Sequence, residues 1–198
     1  MSSVLRCILG SLLIFAASTA QGEGGSKPED RPFGLTEGMS QADLSKSVGG
    51  FKSTNDDFMF EATTVPHPVK FFDSYVFQST DETGLCRVVG VTPSIGSNRK
   101  LEEDYTVLLS SLTEKYGRPK SLDRAQPYMD NAPLISALAT EMRRKAQVWS
   151  LRHSPGIKTI VIEAFGDDAM QGYITVKYEF SNVTKCLEII NQKATQGL

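Results

Sequence analysis

The chain has 198 residues, of which 40% are hydrophobic, and it carries 21 lysine and arginine residues against 23 aspartate and glutamate residues, a formal net charge of −2. This length is typical of one folded domain or of two very small ones. The near balance of charge gives no electrostatic reason to expect a nucleic acid or an anionic membrane as a partner.

The N-terminus has the pattern of a secretory signal peptide. Arg6 supplies a positive charge, an apolar run follows over 8–16, and Ser18-Thr19-Ala20 provides small residues for cleavage after Ala20. The apolar run is shorter than the ~20 residues that cross a bilayer. We therefore expect a periplasmic or secreted protein without a stable membrane anchor; the alternative is an uncleaved N-terminal anchor.

Residues 21–32 combine glycine, proline and charge without apolar periodicity, which predicts a disordered leader. One folded domain is then expected over 33–198. Removal of residues 1–20 leaves 20 basic against 23 acidic residues, a formal charge of −3. A mildly acidic surface of mixed sign is what keeps an exported domain soluble.

Two cysteines, Cys86 and Cys186, remain once Cys7 is removed with the signal peptide. An even number of cysteines in an exported chain predicts a disulfide. This one would close a long loop and tie the last segment to the middle of the domain. The alternative is a pair of buried free thiols.

A short capped helix is predicted at the start of the domain. Ser40 is a good N-cap with Asp43 three residues later, and Met39 and Leu44 occupy the positions of a hydrophobic staple. Gly49-Gly50 ends the helix. At about two turns it depends on packing rather than on intrinsic propensity.

Strands follow this helix. A strand is predicted over 58–63, and the prolines of 66–68 interrupt it because proline cannot donate to a β-ladder. Residues 70–78 and 84–91 are rich in aromatic and β-branched residues, and the polar stretch 79–83 lies between them. This pattern predicts a β-hairpin.

Two helices are predicted next. The first has a single apolar stripe, acidic residues in its opening turn, and Gly117 followed by Pro119 at its end. The second is expected over 131–145, with Arg143-Arg144-Lys145 as its last turn. The apolar positions are Leu101, Tyr105, Leu108, Leu109, Leu112 and Tyr116 in the first, and Leu134, Ile135, Leu138 and Met142 in the second.

Three strands are predicted in succession over 146–152, 157–165 and 172–180, and a helical turn or two over 186–192 ends the chain. Short connections between neighbouring strands favour an antiparallel sheet. The helical stripes are one-sided, so the helices should cover one face of that sheet. The expected class is α+β, and it stays open whether the strands form one sheet or two related α/β halves.

A resemblance to known families rests on the segment Gly34-Leu35-Thr36-Glu37-Gly38-Met39-Ser40-Gln41-Ala42-Asp43-Leu44 followed by Val48-Gly49-Gly50. It is similar to the opening of small exported envelope proteins of the BamE/SmpA-like and β-lactamase-inhibitor-like kind. The resemblance implies a short helix that leads into an antiparallel sheet. The members of this group that assemble the outer membrane are usually lipid-anchored through a cysteine. This chain departs from them, because no cysteine for acylation follows its apolar segment.

Residues that carry catalytic or metal chemistry form no known motif. His67 and His153 are the only histidines, and neither has a second ligand at zinc spacing. The acidic clusters at 56–57, 102–104 and 167–168 are typical of turns and of a helix start. No catalytic residue, metal or cofactor is therefore expected. The basic trio 143–145 would be an anion or partner patch, although a solvated helix end is the favoured interpretation.

Aromatic residues crowd the region 58–77. Core packing is the default interpretation. The alternative is a concave surface for a protein partner, since aromatics are enriched at interfaces. The speculative partner-binding residues are Phe72, Tyr75, Phe77 and Trp149.

The first functional hypothesis is an exported, non-enzymatic binding or interaction protein of the bacterial cell envelope with a protein partner. If the inhibitor-like resemblance holds, that partner would be an enzyme. One rival is a small periplasmic enzyme whose site combines His67 or His153 with distant carboxylates. A second rival is a carrier of a small apolar ligand, which requires a cavity of some hundreds of Å³.

Overall fold

The computed structural model describes residues 31–54, 58–127, 132–151 and 156–195. The predicted signal peptide and nearly all of the predicted leader lie outside these residues. Pro32, which the sequence assigns to the leader, is buried in a 3-10 turn over Pro32–Gly34, so the folded part begins one residue earlier than expected. Within the described part of the chain, no helix is long and apolar enough to cross a membrane.

Four α-helices are described, and their order along the chain matches the prediction. In α1 the Ser40 side chain accepts a hydrogen bond from the Asp43 backbone N–H at 3.1 Å, which confirms the predicted cap. In α2 the stripe of apolar residues is buried on one side, as expected. The helices are α1 (Gln41–Ser47), α2 (Asn98–Tyr116), α3 (Leu134–Ala139) and α4 (Val183–Thr195).

The strands form a single antiparallel sheet. The predicted hairpin is β3–β4, and the predicted meander is β7–β8–β9. The sheet order is β1-β2-β3-β4-β9-β8-β7-β5, with β6 also pairing with β7. The strands are β1 (Lys52–Ser53), β2 (Met59–Ala62), β3 (Ser74–Thr80), β4 (Gly84–Val91), β5 (Lys120–Ser121), β6 (Arg124–Ala125), β7 (Arg143–Ser150), β8 (Ile157–Gly166) and β9 (Gly172–Phe180).

The helices pack on one face of this sheet, which confirms the predicted α+β class. Alternate residues of a strand point to opposite faces. In β9 the even-numbered residues from Gly172 to Phe180 are buried beneath the helices, whereas the odd-numbered ones are half-buried. Helix α2 packs on β8 and β9, and α3 packs on β7 and β8.

The prediction of a helix over 131–145 is wrong in its second half. Helix α3 ends at Ala139, the chain turns at Glu141 with a left-handed φ of 56°, and residues from Arg143 onward belong to β7. Gly166 of β8 explains why α3 sits where it does, because a Cβ at this position would collide with the Ile135 carbonyl oxygen. The basic run is part of a strand because Lys145 pairs with β8 and Arg143 and Arg144 pair with β6, and local periodicity contains no information on such pairing.

A disulfide joins Cys86 of β4 to Cys186 of α4, which confirms the predicted pair. The sulfur atoms are 2.08 Å apart, and the cysteines are 100 positions apart in sequence. Both residues are fully buried. The bond ties the C-terminal helix to the middle of the sheet.

We expect loss of this disulfide to lower the free energy of unfolding by about 3–5 kcal/mol, because a cross-link over a loop this long restricts the unfolded chain strongly. Urea denaturation of the protein with and without reductant, and of Cys86→Ser/Cys186→Ser, measures the effect. An unchanged midpoint in both would contradict the prediction.

Tyr105 of α2 has a buried hydroxyl with no hydrogen-bond partner among the described residues. Its ring lies 4.9 Å from the Lys145 Nζ atom in a cation–π arrangement. Burial, and then the negative charges of Asp123 and Glu163, raise the pKa of this hydroxyl. Burial also raises the pKa of Tyr178.

Tyr105→Phe should leave stability at neutral pH unchanged or increase it by about 1 kcal/mol, because an unsatisfied buried hydroxyl is unfavourable. In the parent protein, stability should be complete below pH ~10 and fall above it, where the unfolded tyrosines ionise and the folded ones do not. The variant should lose stability less steeply with rising pH. Urea denaturation between neutral and alkaline pH tests this, and an identical slope would refute it.

Candidate functional site

Three of the four predicted partner-binding aromatics lie in the core, which corrects that prediction. Tyr75, Phe77 and Trp149 are only 1%, 0% and 2% exposed. They occupy the helix-covered face of their strands, and the Trp149 Nε1–H donates to the Gly117 carbonyl oxygen at 2.7 Å. Phe72 is half-buried and packs edge-on against Phe33 at 5.6 Å, so it belongs to the same aromatic cluster.

The residues considered for catalysis are dispersed where they are described. His67 is exposed in the loop after β2, and its backbone N–H donates to the Phe33 carbonyl oxygen. His153 and Asp56-Asp57 lie outside the described residues. The described parts of the chain contain no group of three His, Cys, Asp or Glu residues that could hold a metal ion.

The sequence predicts the acidic residues of 102–104 in the opening turn of α2, and this is wrong, because the helix begins at Asn98 and its first turn contains no acidic residue. Glu103 pairs with Arg99 at 2.9 Å and Asp104 with Lys100 at 2.6 Å, both one helical turn apart on α2. Asp167 accepts a hydrogen bond from the Gln171 backbone N–H in the β8–β9 turn. These carboxylates stabilise a helix and a turn.

One surface feature spans the molecule: the sheet face opposite the helices. Directly opposed residues of antiparallel strands share a face, and the registers place four half-buried valines in one line across four strands. We call this line the valine row. It runs through Val76 of β3, Val89 of β4, Val161 of β8 and Val148 of β7, with Lys177 of β9 at its centre.

Charged residues lie beside the valine row in pairs. Arg87 contacts Glu179 at 2.8 Å, and Lys177 contacts the same carboxylate at 3.4 Å. The Arg87 guanidinium also donates to the Gln78 side-chain oxygen at 2.8 Å. An aromatic pair, Phe165 on Tyr173, stacks at 5.1 Å at one end of the face.

A cavity of about 680 Å³ opens at the end of the sheet where α3 gives way to β7. Its walls are β6, the start of β7, the end of β8 and the C-terminal end of α3. The volume lies within the range of ligand-binding sites. Apolar and charged side chains both line it.

Two of the three residues in the predicted basic patch line this cavity. Arg143 and Arg144 line the cavity, whereas Lys145 covers the Tyr105 ring. Alternation along β7 places Arg143 and Lys145 on the helix-covered face and Arg144, which pairs with Glu163, on the opposite face. A third arginine, Arg124 of β6, lies directly opposite Arg144 in the β6–β7 ladder. The patch is therefore part of a strand and not the solvated end of a helix.

Sequence reasoning missed Arg124 and the valine row for the same reason. Each depends on which strands pair and in what register, and single-sequence periodicity carries no such information. The signal that was present is the alternation of Ile174, Val176, Tyr178 and Phe180 with polar residues in the sequence of β9, a pattern typical of an antiparallel strand with one wet face. Alternation along one strand shows that a face exists but not which residues of other strands lie beside it.

Comparison with protein-family models, with curated proteins and with solved structures found no match to this chain. The likeness of the segment 34–50 to small envelope proteins stays a prediction from sequence.

Proposed function

We propose that this chain is an exported, non-enzymatic binding protein of the bacterial cell envelope, and that a protein partner docks on the sheet face that carries the valine row. The observation that supports the proposal best is the row itself. Four apolar side chains lie in register on a face that no described helix covers. Apolar side chains that are grouped on a surface and bordered by polar residues mark an interaction site.

The dimensions of the face suit a protein partner. The five longer strands of the face, β3, β4, β9, β8 and β7, lie ~4.8 Å apart and are ~25 Å long, so they present about 600 Å², to which the short strand β2 adds. Each partner in a standard protein interface buries about 800 Å². The valines on either side of Lys177 are short, β-branched side chains with few rotamers, as a rigid docking surface requires.

The charges on the face favour a partner of mixed polar and apolar character. Glu179 is shared between Arg87 and Lys177, and Lys52 pairs with Glu61 at 2.9 Å toward the β1 edge. Charges that are already paired attract a strongly acidic or strongly basic surface only weakly. Contact with the valines then supplies the affinity, and the charged pairs beside them fix the orientation of the partner.

Binding without catalysis is proposed because of what these side chains are suited to do. Valine has no acid–base or nucleophilic chemistry, and the nearby carboxylates are engaged in ion pairs. Export is proposed from the signal-peptide pattern of residues 1–20, and the Cys86–Cys186 disulfide is of the kind that oxidising compartments maintain.

Val89→Glu/Val161→Glu should abolish partner binding while leaving the fold intact. Both positions lie beside Lys177 in the ladder, so each new carboxylate gains a favourable neighbour but interrupts the apolar strip. The measurement is affinity capture from an envelope extract of the source organism with parent and variant proteins, followed by direct titration of the captured protein.

Val107→Glu is the matched control, because Val107 is 49% exposed on α2, away from the sheet face. The proposal predicts a partner that binds the parent and Val107→Glu equally and the double variant at least about tenfold more weakly, the effect of losing apolar contacts worth ~1.4 kcal/mol or more. Equal capture by all three proteins, or capture of nothing, would overturn it. A further arm with reductant shows whether binding requires the disulfide.

A further inference from the structure

The valine row is the middle of a longer line of side chains that runs across the sheet from β1 to β5. At one end, Val76 is directly opposite Glu61 of β2, and Glu61 is opposite Lys52 of β1, with which it forms an ion pair at 2.9 Å. At the other end, Val148 is directly opposite Lys120 of β5. The line therefore ends on a neutralised pair at the β1 edge and on an exposed lysine at the β5 edge.

The lines of side chains that border the valine row are mostly polar. Residues two positions away along each strand share its face and lie ~7 Å from it. On one side, the registers place Gln78, Arg87, Glu179, Thr159 and Ser150 in a line. On the other side, Thr175 and Glu163 separate the apolar residues Val91 and Ala146. The apolar strip is therefore one side chain wide and, over four strand spacings, ~19 Å long.

A strip of this shape matches the apolar face of an amphipathic helix. Such a helix presents a narrow apolar stripe between polar flanks. At 1.5 Å per residue, about 13 residues cover the ~19 Å between the two ends of the row. A partner with a broad apolar surface would also cover the two polar lines and remove their charges from water, which is unfavourable.

The charges on the face indicate the sign of the partner. Lys120 has no ion pair or side-chain hydrogen bond among the described residues. Lys177 lies 3.4 Å from Glu179, but that carboxylate also accepts from Arg87 at 2.8 Å. Each carboxylate that the registers assign to this face is paired with a cation, and these carboxylates are Glu61, Glu163 and Glu179. Cations are therefore in excess along the row, and they favour an acidic partner.

The acidic residue nearest to Lys120 along its edge does not change this balance. Asp123 lies between β5 and β6, and its carboxylate accepts from the Ala146 backbone N–H at 2.8 Å. The Gln147 side chain donates to the same oxygen at 3.5 Å. This carboxylate holds the edge segment to β7 and has no ion pair with Lys120.

We propose that the protein partner docks through an amphipathic α-helix of about 13 residues that lies along the valine row and carries carboxylates over Lys120 and Lys177. The two lysines are three strand spacings apart, ~14 Å, so the carboxylates should be separated by about nine or ten helical residues. Helix docking on an apolar strip is a common mode of protein recognition. This inference rests on the proposed function and adds the chemical class of the partner's contact.

Fluorescence anisotropy with three labelled, side-chain-stapled helical peptides of about 14 residues tests the proposal. The acidic probe has a leucine stripe and two glutamates about ten positions apart at its border. The basic probe has lysines in place of these glutamates, and the scrambled probe has the composition of the acidic one without a stripe. The acidic probe should bind about tenfold or more tightly than the scrambled probe and about fivefold more tightly than the basic probe.

Lys120→Glu should reverse the preference between the two striped probes. It should weaken the acidic probe by about fivefold and strengthen the basic probe, because attraction and repulsion exchange places. Val89→Glu/Val161→Glu should weaken both probes by about tenfold or more. Lys115→Glu, at an exposed lysine of α2, is the matched control and should bind as the parent does. Circular dichroism and urea midpoints establish that each variant is folded.

Three outcomes would overturn the proposal. Equal binding of the acidic and scrambled probes, or no binding of either, would exclude a helix on the row. An unchanged probe preference in Lys120→Glu would exclude a carboxylate over Lys120. Adsorption of the parent protein to phosphatidylglycerol vesicles without probe binding would assign the face to a lipid surface.

The capture experiment separates this inference from the proposed function. A captured envelope protein that requires the valines, together with failure of the probes, would leave the protein partner in place and refute the helix. Binding of the probes as expected, together with capture of no envelope protein, would refute the proposed function and leave a face that recognises acidic helices.

Discussion

The pairing of β4 with β9 is the contact on which the rest of the structure depends. It joins the N-terminal hairpin to the C-terminal meander, and its Arg87–Glu179 ion pair links residues 92 positions apart. Without it the strands would form two small sheets, each with exposed edges. With it the long strands are interior, and the edges are the two-residue strands β1 and β5, a common protection against edge-to-edge association.

A single sheet with all helices on one side has a second consequence. The helices bury one face, so the other face must either meet solvent or meet a partner. The side chains there are a compromise between the two: valines that are only half-buried, and carboxylates and cations that neutralise each other. The cavity lies at one end of the same sheet, between the C-terminal end of α3, β6, the start of β7 and the end of β8.

Sequence patterns that span a few residues predicted the local features of the structure correctly. The cap at Ser40, the stripe of α2 with Gly117 at its end, and the alternation of β9 are all confirmed, since each is decided by neighbours within a few residues. The basic run at 143–145 shows the opposite case. Its residues resemble a helix end, yet pairing with β8 and β6 draws them into a strand. The free energy of a long ladder outweighs a weak helical propensity.

The sequence by itself determined the α+β class, the order of the principal elements and the pairing of Cys86 with Cys186, because periodicity, turn residues and cysteine number are properties of the chain alone. Only the tertiary structure decided that Tyr75, Phe77 and Trp149 face inward, that four valines align across four strands, and that Arg124 lies opposite Arg144 beside one cavity. Strand register is the physical reason, since a shift of one residue sends every side chain to the opposite face.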